Sequence, residues 1–443
     1  MTQNGRVQDG GAGSLLRRYL GLQGLLLAFA VVDAVGLVVV MQLARLDWLG
    51  YAAAAVAIAA AVFGFRDGTS DRLRAAALGL LVFLLLALPQ GVLIAAQPAN
   101  APVHDGVLLT DAAAGRLLQG QDPYGHDYID SRARSFYLSD VPVNFGLRHY
   151  VYMPGMILLD LPVRALGGDR ANFTWMFLPG LLALALACWS VGRRQAESQA
   201  ALIAVVLNPL FQLDYLYFLN DLFALAPALA AVGMLRRGRP LLAGILLGLA
   251  IGTKQQAVLF LPLFLIAAGL LLRRRGALQA VSATFATAAF LALPFLAWNP
   301  GAFVADTAAF FFGSGVDAYP IRGIGLPGDL LALGVLQSRW EAFSTPPLQA
   351  FAVLLVLATG LNRLWRRWSW PEFWFWLGLE TLAVFFFGRV LAPNYLDLAL
   401  TILGLSFTLW LVDQAPAQAA IGRPVEAAPR QRGIEDKAGL LRR

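Results

Sequence analysis

Apolar runs of about 18 residues or more recur along this chain, the length needed for a helix to cross a bilayer. Short clusters of arginine stand between them: Arg193–Arg194, then Arg236, Arg237 and Arg239, then Arg273, Arg274 and Arg275, then Arg363, Arg366 and Arg367. Together they leave little room for a soluble fold. Apolar residues make up 58% of the 443 and charged residues 14%, against about 45–50% and 25% in a soluble domain. The pattern predicts an all-α polytopic membrane protein, a helical bundle of about 12 spans.

Charge sets the expected orientation. Under the positive-inside rule each arginine cluster is cytoplasmic, so the chain goes out and returns between successive clusters. The +7 net charge then belongs to inner loops and gives no sign of nucleic-acid binding. A polar segment, 1–16, begins the chain on the cytoplasmic side. A membrane domain is expected over 17–413, and a basic, disordered cytoplasmic tail over 414–443. Three spans, ending near Leu43, Phe65 and Ala96, lead to a first outer loop at about 97–152, and a second large outer loop covers 298–346. Further outer turns fall at Asp214–Asp221, near Lys254 and at Arg389–Asn394. Tyr152–Leu166 is short and interrupted by Pro154, Asp160, Pro162 and Arg164, so it reads as an interfacial or re-entrant helix, tolerated where protein or a cavity shields its backbone.

The first outer loop is where an apolar chain becomes polar. It holds all three histidines (His104, His126, His149) and the acids Asp105, Asp111, Asp122, Asp127, Asp130 and Asp140. Gly106–Gly120 reads as an amphipathic helix with Asp105 at its N-cap, and Asp122-Pro123-Tyr124-Gly125 as a turn. Capping and solvation alone would account for Asp105 and Asp111. The histidine spacings match no compact zinc motif, and the single cysteine, Cys188, excludes both an intrachain disulfide and a cysteine metal site.

Lysine is rare. Of 34 basic residues only Lys254 and Lys437 are lysine, a bias that points to a GC-rich bacterial genome. It leaves Lys254, in GLAIGTKQQ, as the one lysine of the membrane body. It either snorkels to the interface or serves a function. The same alternatives apply to Arg389 in FFFGRVLAPNYLD. Glu380, deep in an apolar run, is expected to be neutral, paired with a residue such as Arg389, or facing a cavity. Phe310, Phe311, Phe312 and Tyr319 either stack on a ligand or cover lipid.

The order of motifs carries more than any one of them. DGVLLTDAAAGRLLQGQDPY from Asp105 is followed by Tyr152-Met153-Pro154-Gly155, by Asn208-Pro209 with Asn220-Asp221, and by Gly244, Gly248 and Lys254. This series, covering about Asp105–Pro262, resembles the GT-C glycosyltransferases, and within them glycosyltransferase family 87 (the DUF2029 group). The resemblance implies a polyprenyl-phosphate sugar donor, mannose as the first choice of sugar, and a glycan, glycolipid or protein acceptor. It also implies an active site on the outer face of a bacterial cytoplasmic membrane. The family's catalytic base, an acid of the first outer loop, falls on Asp105, with Asp111 in reserve.

Chemistry agrees with a single base. An alcohol attacking an anomeric carbon must lose its proton to a carboxylate, whereas a lipid phosphate leaves as a stable anion without the second carboxyl that a glycosidase needs. Lys254 and Arg389 are the expected cations for that phosphate. Tyr124, Tyr152, Asp221 and Gln255 are the expected lining of the substrate pocket. No cofactor is expected, and a divalent metal is left open. The alternative class is a transporter or flippase of a lipid-linked envelope precursor, which would favour charges at the bilayer midplane and internal symmetry; a ligase or polymerase with a large outer loop is a further alternative.

Overall fold

The computed structural model describes residues 21–66, 68–96, 103–135, 145–168, 172–313, 318–341 and 343–421. Three long helices open the chain: α1 (Leu22–Leu43), α2 (Asp47–Gly64) and α3 (Asp71–Ala96), the last with a π-helical turn at Phe83–Ala87. Two shorter helices follow, α4 (Asp105–Leu118) and α5 (Pro154–Gly167). The central bundle is α6 (Phe177–Val191), α7 (Gln195–Val205), α8 (Pro209–Leu216), α9 (Leu222–Arg236), α10 (Pro240–Thr253), α11 (Leu261–Leu271) and α12 (Arg274–Trp298). Then come α13 (Pro300–Phe312), α14 (Leu326–Ala332), α15 (Pro346–Arg366), α16 (Trp370–Phe386) and α17 (Pro393–Ile421). Among the described residues the only strands are β1 (Arg322–Gly323) and β2 (Val390–Leu391), paired in parallel.

Seven helices are long and apolar enough to cross a membrane, and eight if α7 and α8, bent by 54°, form one broken span. The protein is an all-α polytopic membrane protein. A count near twelve would require the shorter apolar helices, α9, α10 and the Gln255–Leu271 segment among them, to cross as well. Helix faces show the apolar environment directly. On α1, Leu26, Ala30, Ala34, Leu37 and Met41 are buried, while Val31, Val35 and Val39 are exposed. Apolar side chains on both faces suit a helix with protein on one side and lipid on the other.

Small residues set the closest packing. Gly244, Gly248 and Gly252 recur every four residues on α10 and face α12, where added Cβ atoms would overlap the Ala280 carbonyl, the Thr284 carbonyl and the Leu291 side chain. This stripe lets two backbones approach as in small-xxx-small membrane pairs. It also fixes the height of α10, and so of Lys254, which follows its last residue. The first turn of α5 meets the same end of α10: a Cβ on Gly155 would overlap the Gly252 carbonyl and Thr253.

Two expectations are corrected. Helix α4 begins one residue earlier than the sequence suggested, and its N-cap is His104, whose Nδ1 accepts the Gly106 N–H at 3.1 Å. Asp105 is the first helical residue, where an acid complements the helix dipole. Glu380 is buried with no hydrogen-bond partner for either oxygen, and it does not pair with Arg389, whose guanidinium is occupied elsewhere. Asp140 lies outside the described residues.

Candidate functional site

The site forms where three chain turns meet: the start of α4, the turn entering α9 and the turn leaving α10. Lys254 is 4% exposed, so it does not snorkel to water. Its Nζ donates to Asn220 Oδ1 and to Asp221 Oδ1, both at 2.8 Å. It also stands 5.4 Å from the centre of the Tyr152 ring, in cation–π range. A buried ammonium needs such partners, because an unpaired charge there would cost several kcal/mol, about 3–5 for a broken pair. Asp221 Oδ2 has no hydrogen-bond partner, an acceptor left over after the lysine is satisfied.

Tyr152 links this pair to Asp105. Its hydroxyl packs so tightly on Gly106 that a Cβ there would overlap it, with Asn220 Nδ2 also in the way. Glycine after Asp105 is therefore a requirement of close approach. Asp105 Oδ1 lies 3.1 Å from His104 Nδ1, with the two side chains 15% and 24% exposed. Burial holds His104 below the ordinary imidazole range; Asp105 and Asp221 oppose this, while Lys254 and Arg322 add to it. Arg322, on β1, is thereby within electrostatic reach of the helix start, and Tyr395 at the start of α17 is within reach of both Asp105 and Asp221.

The remaining sequence candidates stand apart from that cluster. Asp111, 8% exposed, pairs with Arg164 of α5 at 3.5 Å and faces Asp160 electrostatically. Tyr124 is 1% exposed; its hydroxyl donates to the Tyr152 carbonyl at 3.0 Å and its ring packs among Tyr150, Phe295 and Phe303. Gln255 holds the Val151 carbonyl at 2.8 Å, bracing the backbone beside Tyr152. Arg389 is 2% exposed and donates to four backbone carbonyls: Nε to Tyr319, Nη1 to Glu341 and Phe343, and Nη2 to Arg339. It gathers the segment from Tyr319 to Phe343. Phe311 stacks on Tyr319, and Phe310 packs edge-on against the same ring.

Asp306 was missed from sequence. It sits in a π-helical turn at Ala305–Ala309, 1% exposed, accepts the Gly125 N–H at 2.8 Å and lies 2.7 Å from His149 Nδ1. It ties the segment that holds Gly125 and His149 to α13. One charge inside AFVADTAAFFF was the available signal. Asn220 was visible only as half of Asn220-Asp221, and nothing in the sequence singled out Arg322. Among the described residues, no three His, Cys, Asp or Glu side chains come together as a metal-binding set.

Long apolar helices, with a buried polar cluster where the ends of shorter helices meet, define a multi-pass membrane protein with a polar site. The particular family follows from the comparison with known proteins. A family model described as Glycosyltransferase family 87 matches residues 150–393, more than half of the chain, and the chain belongs to that family. It is a glycosyltransferase. The match contains Tyr152, Asn220, Asp221, Lys254, Gln255 and Arg389, while Asp105 and Asp111 precede it. No curated protein and no solved structure matches the chain.

Proposed function

We propose that the enzyme transfers one sugar, with mannose as the first choice, from a polyprenyl-phosphate donor to an acceptor hydroxyl on a glycan, glycolipid or protein. The reaction inverts the anomeric centre in a single displacement, with Asp105 as general base. One observation carries this reading: a buried lysine, held by Asn220 and Asp221, shares Tyr152 with the helix turn that bears Asp105. A cation and a carboxylate on one pocket are what an anionic leaving group and an attacking alcohol require. Lys254 neutralises the departing phosphate, and Asp221 Oδ2 takes a sugar hydroxyl. Membership in a glycosyltransferase family favours this over carriage of a lipid-linked precursor.

Asp105 is preferred to Asp111 as base because Asp111 is engaged by Arg164. Of the two expected phosphate cations, Lys254 is retained, whereas Arg389 has its donors committed to carbonyls and shapes the loop. The arginine clusters at the opposite helix ends support a cytoplasmic location for that side. The site then faces outward from a bacterial cytoplasmic membrane, both termini are inside, and the shorter helices complete about 12 spans. The test is an assay of membranes with radiolabelled polyprenyl-phosphate mannose and polyprenyl-phosphate glucose. Label should enter an acceptor with the native chain and not with Asp105→Asn. Equal incorporation by both would overturn the base assignment, and incorporation from glucose alone would overturn mannose.

A further inference from the structure

His104 is placed to do more than cap a helix. Its Nδ1 accepts the Gly106 N–H at 3.1 Å, so the resting ring carries its proton on Nε2, and the same Nδ1 lies 3.1 Å from Asp105 Oδ1. That separation puts a proton carried by Asp105 within hydrogen-bond reach of Nδ1, which would take it in exchange for the Gly106 N–H. The imidazole side chain is 24% exposed, against 15% for the carboxylate, so the histidine is the more open of the two to water.

We propose that His104 is the proton exit of the transferase, a relay that empties Asp105 after each transfer; this rests on the assignment of Asp105 as base. The balance is simple. The acceptor oxygen bonds to the anomeric carbon, the bond from that carbon to the donor phosphate oxygen breaks, and the phosphate leaves with the electron pair. The acceptor's proton goes to Asp105, passes to His104 Nδ1, and the imidazolium returns one proton to water. The groups around His104 keep the imidazolium short-lived. Burial, Lys254 and Arg322 disfavour the charged ring while Asp105 and Asp221 favour it, and the outcome is a lowered pKa. Protonation of Nδ1 also removes the acceptor of the Gly106 N–H. A cation that forms easily beside the base yet is held unstable is suited to pass its proton on.

The substitution His104→Asn separates the relay from a structural role, because an asparagine oxygen can still cap Gly106 but the amide cannot carry the proton. The full-length chain in detergent would be given polyprenyl-phosphate mannose and octyl α-mannoside. With enzyme in excess, the first turnover of His104→Asn should match the native rate. With substrate in excess, kcat should fall about tenfold or more, short of the roughly 10²–10⁴-fold scale of a lost general acid or base, and free imidazole should restore it. An unchanged kcat, or a first turnover slowed as much as the steady state with no imidazole rescue, would overturn the relay. A melting temperature within a few degrees of the native value guards against loss of fold, and His104→Ser, which also caps, repeats the measurement. Failure of the parent reading looks different: Asp105→Asn would then stay active whatever His104 does.

Discussion

Helix α4 carries two carboxylates six residues apart, and their surroundings have little in common. Asp105, in the first turn, adjoins His104 and shares Tyr152 and Asn220 with Lys254. Asp111, in the second turn, meets Arg164 and Asp160 of α5. One acid stands beside a histidine near a buried lysine cluster; the other is paired across to a neighbouring helix. The difference teaches that an acid's chemistry is set by what its helix end reaches. Asp111 joins α4 to α5, and that joint holds the helix start at which Asp105 sits.

Breaking the comparison at its stronger side should give the largest effect. Asp105→Asn should lower kcat/KM by about 10³-fold, within the range for a lost general base, while Asp111→Asn stays within about tenfold of native. The reverse order would move the base to Asp111. Lys254 comes next. If Lys254 holds the donor phosphate as proposed, Lys254→Met removes its charge-assisted partner, and the donor KM should rise about 30-fold. Lys254→Arg should recover part of that loss, since a planar guanidinium cannot reproduce the two 2.8 Å contacts of a point ammonium. Equal, near-native KM for both variants would remove Lys254 from the phosphate site.

Arg389 contacts neither acid and tests the segment it gathers. Arg389→Met would leave the Tyr319, Arg339, Glu341 and Phe343 carbonyls without this donor, each costing about 1–3 kcal/mol where it is left unsatisfied. The melting temperature should drop by several degrees, with kcat falling more than donor KM rises. A rise in donor KM at unchanged melting temperature would return Arg389 to phosphate binding. Gly313, left-handed at φ 67° and packed against the Arg389 side chain, shows how closely the loop fits this guanidinium.

The legible part of this protein was what repeats or alternates. Apolar runs announced the long helices, and the short segment Tyr152–Leu166 was legible as a helix, which the structure places at Pro154–Gly167 as α5. The site was legible only as isolated charges. Lys254 stood out for its rarity, yet its partners lie 33 and 34 positions earlier, a separation that no local pattern encodes. Arg389 showed in sequence as a charge, whereas the four carbonyls it holds lie 46 to 70 positions earlier. Tyr124 looked like a pocket residue because a polar turn suggests exposure, whereas tertiary packing enclosed its ring. The span count stayed uncertain for a physical reason: α9 and α10 are only 15 and 14 residues long, short for a bilayer core about 30 Å thick.

The smallest effect sharpens the enclosed side of the comparison. Asp160 is fully buried and neither of its oxygens has a hydrogen-bond partner. Burial, aided by Asp111 and opposed by Arg164, raises its carboxyl to about 7, against about 3.9 in an unfolded chain. The folded protein therefore binds this proton more tightly than the unfolded chain does. Its contribution to stability is complete below about pH 4 and is lost as the pH rises through 7. Asp160→Asn keeps the shape and cannot ionise, so its melting temperature should fall less between pH 5 and pH 8 than that of the native chain. Transfer activity at neutral pH should stay within about twofold, because the pair that touches Asp160 is not the one that touches Lys254. An unchanged pH slope would mean that Asp160 is already ionised and paired in the fold. A large loss of transfer would mean that the two ends of α4 act as one site.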